Sequence, residues 1–501
     1  MTTRPVVGAL AMVVALVVPS LVPQGGAQVD RPRPRALSFS PTDPLAPRQW
    51  YAVANRAYDA WPTPPPLAAV RVAVIDSGAD LGHPDLANRI AAAKSFVGGT
   101  AQDTRGHGTI VAGVIAAELD NATGIAGLAP AAELLIAKVV GPGGAISVEA
   151  EAKAIRWAVD NGARIVNVSL GGLRDPRHPD RDTFSRLEQD AVAYAVKRGA
   201  VVVAAVGNAD QGPGTPWRFA SYPAALPHVL GVSALTRSGA SPTFSNRDAV
   251  YNDVAAPGED IFSTFPRSLT AERSGCAEQG YTPCATDEFR PPEGTSFAAP
   301  QVSAVAANLL GVRPTLRAEQ VTAIIERTAS DANASTGCKA CALGRDAYTG
   351  WGALDGAAAV GALAGSIPQR DGFEPNDDAG DRAYRLYFPP GEKARFVRAS
   401  LDFWDDQDDV YGVYLRPGER LYASLTPTVP SDIVLALWKP GATTVTGLVP
   451  PDLRVRLSDR RGRRERLAWK AREAGWHYLQ ARLTEPSEAI VAYRLSVVRT
   501  R

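Results

Sequence analysis

Ser296, within GTSFAAP, heads an apolar run at roughly helical spacing. A serine hydroxyl is a weak nucleophile until a base within hydrogen-bond reach takes its proton. His107 lies between Gly106 and Gly108, just ahead of a second apolar helix pattern, and a neutral imidazole can be that base near pH 7. Asp76 directly follows the apolar run VRVAVI. A carboxylate there can fix the imidazole tautomer and stabilise the imidazolium formed during attack. Asn208 follows VVVAAVG in the same way, and its amide could join the Ser296 N–H as donors to a developing oxyanion. Taken singly, each residue has a plainer role. Thr295 or Ser296 would serve as a helix N-cap, Asp76 as a cap or Asx-turn, Asn208 as a turn residue, and His107 as an ordinary core or surface histidine.

These side chains need a frame that brings positions 76, 107, 208 and 296 together. Short apolar strand patterns recur at 70–76, 133–140, 164–172, 200–208 and 228–235. Amphipathic helix patterns at 147–162 and 184–199 lie between them, each closed by glycine. This alternation predicts a three-layer α/β domain with a mainly parallel sheet covered on both faces. In such sheets the crevice lies at the carboxyl ends of the strands, where Asp76 and Asn208 fall.

The ordered segments VAVIDSGADLGHPDL, GHGTIVAG, NVSLGG, AAVGN and GTSFAAP resemble the subtilisin-like serine peptidases, the subtilases. The order Asp, His, Ser separates that family from other serine hydrolases. The likeness spans roughly residues 45–362. It implies a catalytic triad of Asp76, His107 and Ser296, with Asn208 in the oxyanion hole. It also implies that Ser169, Leu170, Gly171 and Gly172 pair with an extended substrate. The small residues Gly171, Gly172, Ala204 and Ala205, with Gly207 beside them, would leave room for a bulky apolar side chain. The expected activity is hydrolysis of peptide bonds through an acyl-enzyme, with broad specificity and an apolar preference. A non-catalytic binding protein and an esterase are the alternatives. No cofactor is needed for the chemistry. Asp85, Asn121, Thr123 and Ile125 resemble a stabilising calcium site, against a packed loop without metal. The segment DPLAPRQW resembles the start of a mature domain, so the domain is expected to fold without a large pro-segment.

The remaining regions set the context. Arg4, an apolar run broken by Pro19 and Pro23, and Gly25-Gly26-Ala27 read as a signal peptide over 1–27, which implies export. Residues 28–44 read as a linker or short leader, 45–365 as the peptidase domain, 366–373 as a Pro-rich linker and 374–501 as a small all-β sandwich. The tail resembles the pre-peptidase C-terminal domains of secreted bacterial peptidases. In an oxidising compartment, Cys276–Cys284 and Cys338–Cys341 are the expected disulfides. Asp402, Asp405, Asp406, Asp408 and Asp409 read as a solvated loop, with calcium binding the alternative. DRRGRRER at 459–466 reads as a charged hairpin turn. A formal charge of +1 gives no reason to expect a nucleic-acid partner. After signal cleavage no membrane association is expected, and the partners are protein or peptide substrates of a monomeric enzyme.

Overall fold

The computed structural model describes residues 39–500 apart from 62, 65–66, 142, 210–211, 271–279, 285–291, 368–370, 405, 446–450, 461–463 and 486–488. The proposed signal segment, most of the leader and the Cys276–Cys284 pairing therefore lie outside the described residues.

Seven short strands form the first sheet: β1 (Val70–Asp76), β2 (Ile90–Ser95), β3 (Ala132–Lys138), β4 (Ile165–Val168), β5 (Val201–Ala205), β6 (Val229–Leu235) and β7 (Val254–Pro257). Their order is β2-β3-β1-β4-β5-β6-β7, with every neighbouring pair parallel. Parallel sheets bury both faces, and successive strand residues divide between two cores. Val72, Val74, Val201 and Val203 face the helices α1 (His107–Ala116) and α4 (Thr295–Val312). Ala73, Ile75, Val166 and Val202 face α2 (Val148–Asp160) and α3 (Arg186–Lys197). Ser147 and Ser185 cap these two helices by accepting from Ala150 N and Glu188 N. Between α2 and α3 the carboxyls of Glu151 and Glu188 are buried.

Chain order reverses at β1, which lies between β3 and β4. A crevice opens at such a reversal, beyond the carboxyl ends of the strands. α4 is buried along its length apart from Ser296 and Val312. It packs against β4, β5, β6 and α1. A helix apolar on all sides belongs inside a protein, so its first turn is delivered to the crevice by a fixed post. A further helix, α5 (Ala318–Thr328), packs against α4.

Beyond the helical turn Gly356–Ala362 the structure is β-rich. Strands β8 (Tyr384–Arg385), β10 (Asp408–Leu415), β12 (Ile433–Trp438), β13 (Arg454–Ser458) and β15 (Gly475–Leu483) form a five-stranded sheet in the order β13-β12-β15-β10-β8. A four-stranded sheet runs β14 (Glu465–Lys470), β11 (Arg420–Pro427), β16 (Val491–Thr500), β9 (Ala394–Leu401). All pairings are antiparallel except β8 with β10. The two sheets share one apolar core, which Trp351 and Ala323 of the α/β body enter. Trp351 stacks on Trp404, ring centroids 5.3 Å apart, and Arg327 covers the Trp404 ring at 3.8 Å. No helix among the described residues is long and apolar enough to cross a membrane.

Candidate active site

β1 ends on Asp76, whose side chain has no exposure, while that of His107 at the head of α1 keeps 29%. His107 Nδ1 lies 2.8 and 2.9 Å from the two Asp76 oxygens. A carboxylate can only accept, so Nδ1 carries the proton and Nε2 presents a lone pair. The closeness needs Gly108, where a Cβ would stand 2.1 Å from the Gly78 carbonyl and 3.1 Å from the Asp76 Cβ. Burial opposes protonation of His107. The Asp76 charge and hydrogen bond, aided by Asp103, outweigh that and raise its pKa above the ordinary value.

Asp103 was not singled out in the sequence, yet it holds this corner. Fully buried, it accepts at Oδ1 from Ser77 Oγ and the N–H groups of Arg105 and Gly106. Oδ2 accepts from Thr109 N and Thr109 Oγ1. At the start of α1 this carboxylate takes the Gly106 and Thr109 amides while Gly108 N donates to Ser77 Oγ, and together they fix the helix under His107. An aspartate just before a histidine-headed apolar helix is a capping signal, and that signal could have found it.

α4 starts at Thr295 with Gly294 as N-cap and no side-chain cap bond. The capping alternative for Ser296 is thereby removed, because Ser296 sits inside the first turn. Phe297, next to it, packs its ring 5.1 Å from the His107 ring. Thr295 instead engages Asn208: its N–H and hydroxyl donate to Asn208 Oδ1 at 3.1 and 3.2 Å. With Oδ1 held, the Nδ2 hydrogens point away from that bond and stay uncommitted among the described residues. Gly294 has φ +150°, and a Cβ there would lie 3.2 Å from Asn208 Nδ2. The glycine keeps that amide clear.

The expected substrate rim is altered in two places. Gly172 already exchanges both main-chain bonds with Tyr222, at 2.9 and 3.0 Å, so it is not open to a second strand. Ser169 is buried with its hydroxyl accepting from Asn167 Nδ2, while Leu170 and Gly171 carry no main-chain bond among the described residues. Ala204 and Ala205 face opposite cores, as adjacent strand residues must, so their side chains do not line one pocket. Gly207 supplies a turn at φ +94° against Ser221 and Asn246.

The residues of the expected calcium site are tied to one another by hydrogen bonds. Asp85 accepts from Asn121 Nδ2, Ile125 N and the Tyr281 hydroxyl, and Asn121 Oδ1 accepts from Thr123 N. The aspartate-rich tail segment is also not a solvated loop: Asp402, Asp408 and Asp409 are buried, and Asp405 lies outside the described residues. Asp409 accepts from Asn376 Nδ2 and the Tyr493 hydroxyl. The Cys338–Cys341 disulfide is present.

Comparison with known proteins adds to this geometry. Residues 68–352 match the model of the subtilase family. Thermitase from Thermoactinomyces vulgaris is 36% identical over 294 residues, 58% of this chain and 92% of its own length. Subtilisin DY from Bacillus licheniformis is 36% identical over 266 residues, 53% of this chain and 85% of its own. The solved structure of a protease from Pseudoalteromonas arctica PAMC 21717 superposes with a TM-score of 0.52 at 26% identity, covering 65% of this chain and 99% of that one.

Proposed function

The chain belongs to the subtilase family of serine endopeptidases, and from that premise we propose that Asp76, His107, Ser296 and Asn208 carry its chemistry. Ser296 Oγ attacks the scissile carbonyl as His107 Nε2 takes its proton, and Asp76 stabilises the imidazolium. Asn208 Nδ2 and the Ser296 N–H meet the oxyanion. His107 then returns the proton to the leaving amine, and a water molecule activated by the same imidazole hydrolyses the acyl-enzyme. None of these steps uses a cofactor. The carrying observation is the His107–Asp76 pair, 2.8 Å apart at the end of β1.

Substrates are proteins and peptides, bound as an extended strand along Ser169–Gly171, with broad specificity and an apolar preference. Main-chain pairing of this kind is indifferent to sequence, and Leu170 supplies apolar surface. Export is read from the signal-like segment 1–27, and the boundary at 366–373 separates the peptidase from a tail of the pre-peptidase C-terminal type. A structural divalent cation is better placed at Glu374, Asp377 and Asp406 than at Asp85. Ligand oxygens of those three lie within 4.8 Å of one another. Glu374 Oε1 and Asp406 Oδ1 are buried without a hydrogen-bond partner, as is Asn376 Oδ1 beside them.

A sulfonyl fluoride should label Ser296 and abolish casein hydrolysis, and Ser296→Ala should lose both label and activity. Undiminished hydrolysis by Ser296→Ala would refute the assignment. Asn208→Ala should lower kcat by about 10²–10³-fold, a magnitude that belongs to subtilisin rather than to this chain.

A further inference from the structure

The four-stranded sheet of the tail keeps one face in the core, where Val397, Leu421, Leu467 and Leu495 are buried. Residues one step along each strand face outward. That outer face carries Arg398, Arg420, Arg466, Lys470 and Arg494, all exposed, and no carboxylate among its described residues. None of the five forms an ion pair among the described residues. Arg398 stands directly opposite Arg494, and Arg420 directly opposite Lys470. Like charges so opposed destabilise a ladder. A merely solvated face would mix its signs, and the chain has 52 acidic residues with which to do so. A shallow groove of about 350 Å³ lies on this face, its floor including Ser424, Ser496 and Ala468. Phe396, 78% exposed, stands beside it, opposite Ser496.

We propose that this face is an exosite that captures acidic, extended stretches of protein substrates for the peptidase site. The inference rests on the peptidase reading above. The two like-charge pairs are separated by the span from Arg420 to Thr426, the latter opposite Arg494. At about 3.3 Å per residue that is roughly 20 Å, the reach of six or seven extended residues. Carboxylates on alternate residues of such a segment recur about every 6.6 Å, the spacing of outward side chains along the sheet. A polypeptide is favoured over other polyanions because its repeat matches this lattice and because the enzyme acts on polypeptides. Capture by charge acts on encounter, so it changes KM and salt dependence and leaves kcat alone.

The test compares the full chain with R398E/R494E on three substrates: an acidic unstructured protein, the same protein with its carboxylates amidated, and a short neutral peptide amide. At low salt the variant should raise KM for the acidic protein about fivefold or more, with kcat unchanged. The other two substrates should be turned over as by wild type. The wild-type advantage should fade as salt rises toward about 0.3 M. Equal KM for the acidic protein in both enzymes would overturn the proposal, as would equal preference for the amidated form. Retention of wild type alone on a sulfated polysaccharide, with KM for the acidic protein unmoved, would overturn it in favour of a glycan. Should R398E/R494E lose turnover of the short peptide, R398Q/R494Q is judged by the same criteria. A wild type that cleaves none of the three substrates refutes the peptidase reading itself. Cleavage of the short peptide without any charge effect refutes only the exosite.

Discussion

Replacing Asp103 by asparagine should loosen the helix that carries His107 and, on the proposed mechanism, shift the pH at which the enzyme switches on. In its better orientation the new amide keeps an oxygen toward Ser77, Arg105 and Gly106 and turns its –NH₂ toward Thr109. The Thr109 hydroxyl can rotate to accept, but the buried Thr109 N–H then faces a donor, and stranding it costs about 1–3 kcal/mol. The three retained bonds lose their ionic character, at about 0.5–1 kcal/mol each. Relief from burying an anion offsets part of this, leaving a net loss of about 3 kcal/mol. Urea unfolding in a Ser296→Ala background, which cannot digest itself, reads that value. The second readout is the pH profile. Only neutral His107 can take the serine proton, so kcat/KM falls as pH drops through its pKa, which lies above the ordinary value of about 6.5. Asp103 is one cause of that elevation. Its neutralisation should therefore move the acid limb to lower pH, which loss of packing alone would not do. A stability loss under about 0.5 kcal/mol with an unmoved limb would refute the reasoning.

Asp76→Asn should leave the fold intact and lower kcat by about 10⁴-fold, because the amide supports the wrong imidazole tautomer; burst kinetics with a peptide ester would measure it. Gly294→Ala places a methyl 3.2 Å from Asn208 Nδ2 on a backbone at φ +150°, so kcat should fall while KM for peptide amides holds. Burial raises the pKa of both Glu151 and Glu188, and the Glu151 charge raises Glu188 further, to about 10. A raised folded-state pKa contributes stability that is full at acid pH and is lost as pH climbs through the folded value. Wild type should therefore lose stability from about pH 4.5, the ordinary glutamate value, up to about pH 10, more steeply below about pH 7 where both groups contribute, and Glu188→Gln should flatten that slope in urea titrations.

The buried strands were legible because a strand covered on both faces is a largely apolar run: 70–76, 200–208 and 228–235 needed no context. β2 was not, since Ile90–Ser95 is alanine-rich, lies at the sheet edge and is half exposed, leaving neither propensity nor period to read. β13 and β14 were missed for a like reason. Their arginines hide the alternation, and the hairpin turn expected at 459–466 falls partly on β14 and partly outside the described residues, with β13 and β14 in different sheets. The triad candidates could be named because each polar residue interrupts an apolar element at its end. Asp103 was overlooked although its donors at Arg105, Gly106 and Thr109 are local and make a capping signal; only its bond from Ser77 needed the fold. The alanines at 204 and 205 were assigned to one pocket against the two-residue strand period, and the sheet separates them.

The four groups proposed to act together are spread over more than two hundred residues, and the fourth rides on a helix threaded through the middle of the body. The strand that carries Asp76 is complete only when β3 and β4 flank it, and on the proposed assignment the chain has no nucleophile until the central helix is seated. Competence therefore arrives in one late event, together with the long-range contacts that are slowest to form. On that assignment, half-folded copies would be harmless to one another, the blade unsheathed only once the handle is finished.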